Sequence, residues 1–149
     1  MANALIGSHP SHGFKVVEQL DSNKQLTRSD SGKLYFVDQP DTHTFVSLPK
    51  LSLEIAGWHA KFILRSIGTS GDFHIKAFGD WEENGTTGDA DTMQILEVGA
   101  GKTGISNADN VQFYQSADTV GAVIEIMTDG SNWYALGYAN VAGDVYGDG

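Results

Sequence analysis

The sequence predicts an all-β domain, a sandwich or barrel preceded by a short N-terminal arm. Three observations lead there. Roughly nine or ten short segments alternate apolar and polar side chains, the period-two pattern of half-buried strands. Turn signals separate them every 8–12 residues or so. Glycine is abundant, at 18 of 149 residues, while proline numbers 3, which suits many turns and short strands. No helical period of useful length interrupts the pattern.

The strongest element is Gly121 to Tyr138. Ala122, Ile124 and Ile126 alternate with Val123, Glu125 and Met127; Trp133 and Ala135 alternate with Tyr134 and Leu136. Asp129-Gly130 between them supplies the positive φ of a hairpin turn. From the N-terminus, Met1 to Gly13 reads as an arm of small residues, and residues 14–138 read as the β-domain. Phe14 to Leu20 is a first strand, followed by a turn at Asp21 to Lys24. Lys33 to Asp38 is a strand with Leu34 and Phe36 opposed to Tyr35 and Val37, and Pro40 breaks it. Thr42 to Leu48 alternates again. Leu51 to Ala56 favours a strand, though a helical turn also fits. Trp58 to Ile67, Phe73 to Phe78, Met93 to Val98 and Val111 to Gln115 are further strands. Ile105 to Asn110 reads as irregular, and residues 139–149 as a glycine-rich acidic tail. No internal repeat is evident, so a propeller or solenoid is not expected.

Net charge is −10, from 9 basic and 19 acidic residues. Such a surface repels nucleic acid and anionic membrane, so neither is an expected partner. Without cysteine, disulfides, thiolate zinc sites and thiol nucleophiles are excluded. No apolar run has the length of a membrane span, and the N-terminus lacks the features of a signal peptide.

Motifs for chemistry are weak. Asp80 to Asp91 partly matches a calcium loop, but its flanks read as strands and Trp81 sits inside it. We read it as a solvated acidic loop. His43, His59 and His74 lie in strands that could be neighbours, and His9 and His12 lie in the arm. Zinc needs three or four converging ligands, and spacing alone does not bring these together. Neither metal nor cofactor is expected. No carboxylate pair stands out for glycoside hydrolysis, and no nucleophile elbow is present. Gly99 to Gly104 resembles the end of a phosphate loop, but Leu96 stands where its opening glycine belongs and no helix follows.

Three stretches carry a family resemblance. Leu26-Thr27-Arg28-Ser29-Asp30-Ser31-Gly32-Lys33 resembles the LT-x-x-DSGK opening of tailed-phage structural proteins. Phe45 to Pro49 resembles the strand ending in Leu-Pro that follows in them. Val123 to Tyr134, with its Asp129-Gly130-Ser131-Asn132-Trp133-Tyr134, is similar to their closing SDGTNWY hairpin. The resemblance spans about residues 14–138 and takes in capsid decoration (cement) and tail-fibre-associated proteins. It implies an antiparallel β-domain without catalysis, often a homotrimer. With the strand pattern, the expected fold is an all-β antiparallel sandwich or barrel, jelly-roll-like, with the arm in front. The expected function is decoration of a phage capsid exterior, with the major capsid protein and further copies of the chain as partners. Leu5, Ile6, His9, His12, Phe14, Lys15 and Arg28 are the candidate capsid contacts, with Lys24 nearby. The alternative is a tail-fibre or receptor-binding module whose Trp81 contacts a host surface glycan.

Overall fold

Alternating side chains form strands throughout the computed structural model, which describes residues 16–78, 93–99, 102–108, 110–114, 119–139 and 145–148. In chain order the strands are β1 (Val17–Leu20), β2 (Lys24–Gln25), β3 (Lys33–Asp38), β4 (Thr44–Ser47), β5 (His59–Ser66), β6 (Phe73–Lys76), β7 (Met93–Gly99), β8 (Lys102–Ala108), β9 (Asn110–Phe113), β10 (Val123–Thr128), β11 (Trp133–Tyr138) and β12 (Val145–Asp148). Short 3-10 turns lie at Arg28–Asp30 and Leu53–Ile55. Leu51 to Ala56 thus takes the turn rather than the favoured strand. Of Ile105 to Asn110, read as irregular, Ile105 to Ala108 fall in β8 and Asn110 begins β9, and the expected tail carries β12.

Seven strands make one sheet in the order β1-β3-β5-β10-β11-β7-β8, and five make the other in the order β12-β9-β6-β4-β2. Parallel ladders join β1 to β3, β3 to β5, β7 to β11, β2 to β4 and β4 to β6; the other ladders are antiparallel. Both sheets are therefore mixed and open, which corrects the expected antiparallel jelly-roll-like arrangement. The reason is the path. The first six strands alternate between the sheets, so the chain circles the core before returning to the same sheet, and it returns running the same way. Val17 lies beside Leu34, and Leu34 beside Lys61, as successive passes stack. The early passes therefore stack in parallel, although the sequence carries no internal repeat. From β9 onward the chain closes the stack with antiparallel strands on β6 and β5.

Two of the passes turn through similar corners. Thr27 begins the first: its N–H and Oγ–H both donate to Asp30 Oδ2, at 2.7 and 2.8 Å. Gly32 and Gly57 follow the two 3-10 turns at φ of 83° and 85°. The Trp58 indole donates to the Thr27 carbonyl at 3.0 Å, tying the second corner to the first. The stretch resembling LT-x-x-DSGK is thus corner chemistry. The stretch resembling SDGTNWY is hairpin chemistry. Gly130 turns the chain at φ 94°, a region costly for any residue with a Cβ, while Asp129 Oδ1 accepts from the N–H groups of Ser131 and Asn132 at 2.8 Å each. Those backbone donors, with Tyr134 O–H, hold the Asp129 carboxyl below its ordinary range.

The inward faces meet in one core. Tyr35, Val37, Phe62, Leu64, Ile124, Ile126, Trp133 and Ile95 come from the larger sheet; Val46, Phe73, Ile75, Val111, Phe113 and Val145 come from the smaller. Ring contacts run from Tyr35 to Phe62, across to Phe73, and on to Phe113.

Where β1 and β2 end the stack, polar groups close it. Lys33 Nζ donates to Asp30 Oδ1 at 2.7 Å and to Glu18 Oε2 at 2.9 Å, and Lys24 also pairs with Glu18. A polar cap of this kind is what a stacked chain requires at its first pass. Burial acts to raise both carboxyls, but Lys33 with the two Thr27 donors at Asp30, and Lys24 with Lys33 at Glu18, outweigh it and hold both below their usual range. Such depressed groups contribute stability above their unfolded pKa, near about 4, and lose it as pH falls through the folded value. Replacing Lys33 by Met (Lys33→Met) should cost about 2 kcal/mol at neutral pH, because it strands a nearly buried carboxylate. Urea unfolding from pH 7 to about pH 3 should show the gap from wild type narrowing as the carboxylates protonate. A constant gap would remove the ion network as its cause.

Candidate functional site

The outer face of the seven-stranded sheet is more apolar than a solvated face. Because side chains alternate, the residues opposite the core on β1, β3, β5, β10 and β11 fall in two rows. The first runs Val17, Leu34, Lys61, Glu125, Leu136. The second runs Gln19, Phe36, Ile63, Val123, Tyr138. Leu34, Phe36, Ile63, Val123 and Leu136 are half-buried, while Val17 and Tyr138 are 60% and 42% exposed. Charge on this face is balanced. Lys61 Nζ meets Glu125 Oε1 at 2.5 Å, and Arg65 forks onto Asp38, its Nε donating to Oδ1 at 2.8 Å. The guanidinium beside Asp38 holds that carboxyl below its ordinary range.

Toward the hairpin turn the same face opens into a groove of about 530 Å³, bordered by Gly57, His59, Lys61, Glu125, Met127 and Tyr134. His59 Nδ1 lies 3.1 Å from the Gly57 carbonyl, and the exposed Tyr134 donates its hydroxyl to Asp129 at 3.0 Å. That acceptor raises the Tyr134 hydroxyl pKa above its usual value, so the phenol stays neutral.

On the outer face of the smaller sheet, His43, Asp72 and His74 offer ligand atoms within 4.8 Å of one another. His74 is stacked on Phe45, centroids 5.0 Å apart. Burial pushes its imidazole below the usual range, against the pull of Asn110 and Asp72. The strand adjacency of His43 and His74 was readable as an option in the sequence; the part played by Asp72 was not. His59 sits on the opposite sheet, away from both.

Of the expected capsid contacts, Leu5, Ile6, His9, His12, Phe14 and Lys15 lie outside the described residues, as do Trp81 and the acidic loop of residues 80–91. Arg28 is exposed on the first corner, its guanidinium 3.5 Å from Glu54. Lys24 is held in the polar cap by Glu18. Trp58 and Trp133 are core residues packed edge to face at 5.3 Å. Gly99 to Gly104 leads from β7 into β8 rather than into a helix. Among the described residues no helix is long and apolar enough to cross a membrane. No protein family, curated protein or solved structure matches this chain.

Proposed function

We propose that this chain is a structural β-module that associates with further copies of itself through the outer face of the seven-stranded sheet. Following the resemblance to tailed-phage proteins, the assembly decorates the exterior of a capsid by binding its major capsid protein. The observation that carries the reading is an apolar, charge-balanced sheet face on a chain of net charge −10. Sheets rich in parallel ladders ordinarily have both faces covered, and this outer face has the composition of a covered one. The five strands that carry the two rows, about 4.8 Å apart and some 20 Å long, present on the order of 500 Å², so two such faces together bury about 1,000 Å², the lower end for a specific interface. Two such faces packed together give a dimer. A homotrimer, as the resemblance implies, would set each face against a different surface of the next copy. Several weak capsid contacts then act together through avidity. The reading involves neither catalysis, nucleic acid nor membrane.

Solution mass and co-sedimentation with empty capsids test it. An oligomer that binds saturably in a fixed ratio is expected, and removal of residues 1–13 should abolish capsid binding without changing that mass. A monomer that does not sediment with capsids would end the proposal. A second reading, a tail-fibre module contacting a glycan, draws on the groove, where Tyr134 offers a ring beside His59, Glu125 and Asp129. Aromatic faces edged by polar groups suit sugars. Glycan binding without capsid binding would favour it.

A further inference from the structure

We propose that His43, Asp72 and His74 bind a divalent transition metal ion of the zinc class on the outer face of the smaller sheet. Two imidazoles and one carboxylate match the ligand preferences of zinc, cobalt and nickel, and three protein ligands leave one position open. Their ligand atoms already lie within 4.8 Å of one another, so small side-chain movements bring them around one ion. A chain of net charge −10 attracts cations before any specific contact forms.

The scaffold holds two of the three groups in place. His74 is in β6, and Asp72, two residues earlier, immediately precedes that strand. His43 comes from the previous pass, just before β4. The two turns are pressed together: a Cβ on Gly71 would meet the Thr42 carbonyl carbon at 2.5 Å. Asp41 Oδ1 accepts from the Thr69 N–H at 2.6 Å, and the Gln39 side chain donates to the Gly71 carbonyl. Thr44 N–H donates to the Asp72 carbonyl at 3.0 Å.

A second observation points to a ligand. His74 Nδ1 is buried and, with the side chain of Asn110 pulling on the ring, makes no well-formed hydrogen bond. A buried ring nitrogen left unsatisfied is costly, and a bound ion is one of the few things that satisfy it. His43 differs: its Nδ1 accepts the Asp72 N–H at 3.1 Å. Loading exchanges that hydrogen bond for a coordinate bond, or turns the exposed ring so that its other nitrogen faces the ion.

Cobalt(II) alone is the probe, titrated into the full chain and followed by its visible d–d absorption, with zinc(II) added afterwards as competitor. The expected result is uptake of one cobalt per chain, displaced by zinc. His43→Ala and Asp72→Asn should each weaken uptake by about tenfold or more, with unchanged circular dichroism. The exposed His43 makes the first of these safe for folding. The double variant His9→Ala, His12→Ala should bind as wild type does. Absent d–d bands, or uptake that survives His43→Ala and Asp72→Asn, would overturn the site. Uptake lost in the His9, His12 variant alone would assign the metal to the arm and overturn it equally.

Discussion

Phe62→Ala should destabilise the chain by about 3–5 kcal/mol, through lost transfer energy and a cavity that the surroundings only partly fill. The ring is fully buried in the centre of β5. That strand is the pivot of the fold, since it pairs in parallel with β3 on one side and antiparallel with β10 on the other. Phe62 stacks on Tyr35 at 5.0 Å and 15°, and reaches Phe73 of the opposite sheet at 6.5 Å. It therefore joins successive passes within one sheet and also joins the two sheets. For a chain of this size the loss corresponds to a fall in Tm on the order of 10 °C, a large part of the 5–15 kcal/mol that holds a typical domain together. Phe36→Ala, in the neighbouring strand on the outer face, should cost well under half as much. Thermal unfolding of the two variants side by side checks this. Equal losses would mean that the inward and outward faces are assigned wrongly.

That contrast rests on side-chain alternation, the part of the fold most legible in the sequence. Leu34 and Phe36 against Tyr35 and Val37, or Phe62 and Leu64 against Ile63 and Arg65, follow from a period of two that holds whatever lies alongside. The hairpin was equally legible, because Asp129 and Gly130 specify its turn locally. The pairing of strands was not. Alternation is the same in parallel and antiparallel ladders, so KLYFVD carries no mark of its two parallel neighbours. Winding left no repeat to detect, because successive passes differ in length and share only corner residues such as Gly32 and Gly57. The strand β8 was missed because Lys102 to Ala108 is rich in small and polar residues, and its pairing with β7 decides its state. Leu53 to Ile55 took a 3-10 turn because the corner needs one, overriding an apolar alternation that favoured a strand.

The sites were less legible than the fold for a related reason. His43 and His74 become neighbours only once β4 lies parallel to β6, and Asp72 joins them only because the turns before those strands are pressed together. Of the residues named from the resemblance, Lys24 lies in the polar cap with Glu18, and Arg28 is exposed on the first corner beside Glu54. The outer sheet face was visible as half of every alternating strand, yet nothing in one strand says that its outward residues continue across five.

That continuity gives the second prediction. Ile63→Glu should weaken self-association by about a hundredfold or more while leaving the domain folded. Ile63 lies in the middle of the second row, between Phe36 and Val123. If the face is covered by another copy, the new carboxylate is taken out of water beside apolar side chains, and the cations described on this face, Lys61 and Arg65, are already held by Glu125 and Asp38. Burying an unpaired charge costs several kcal/mol or forces the interface to open. In the isolated chain the same carboxylate stays partly solvated, and the cost to folding should be under about 1 kcal/mol. Sedimentation velocity across a concentration series separates the two effects. Wild type should run as an oligomer and the variant as a monomer of unchanged circular dichroism. An oligomer that persists in Ile63→Glu would show that the copies meet elsewhere, and the apolar face would then belong to contact with the capsid.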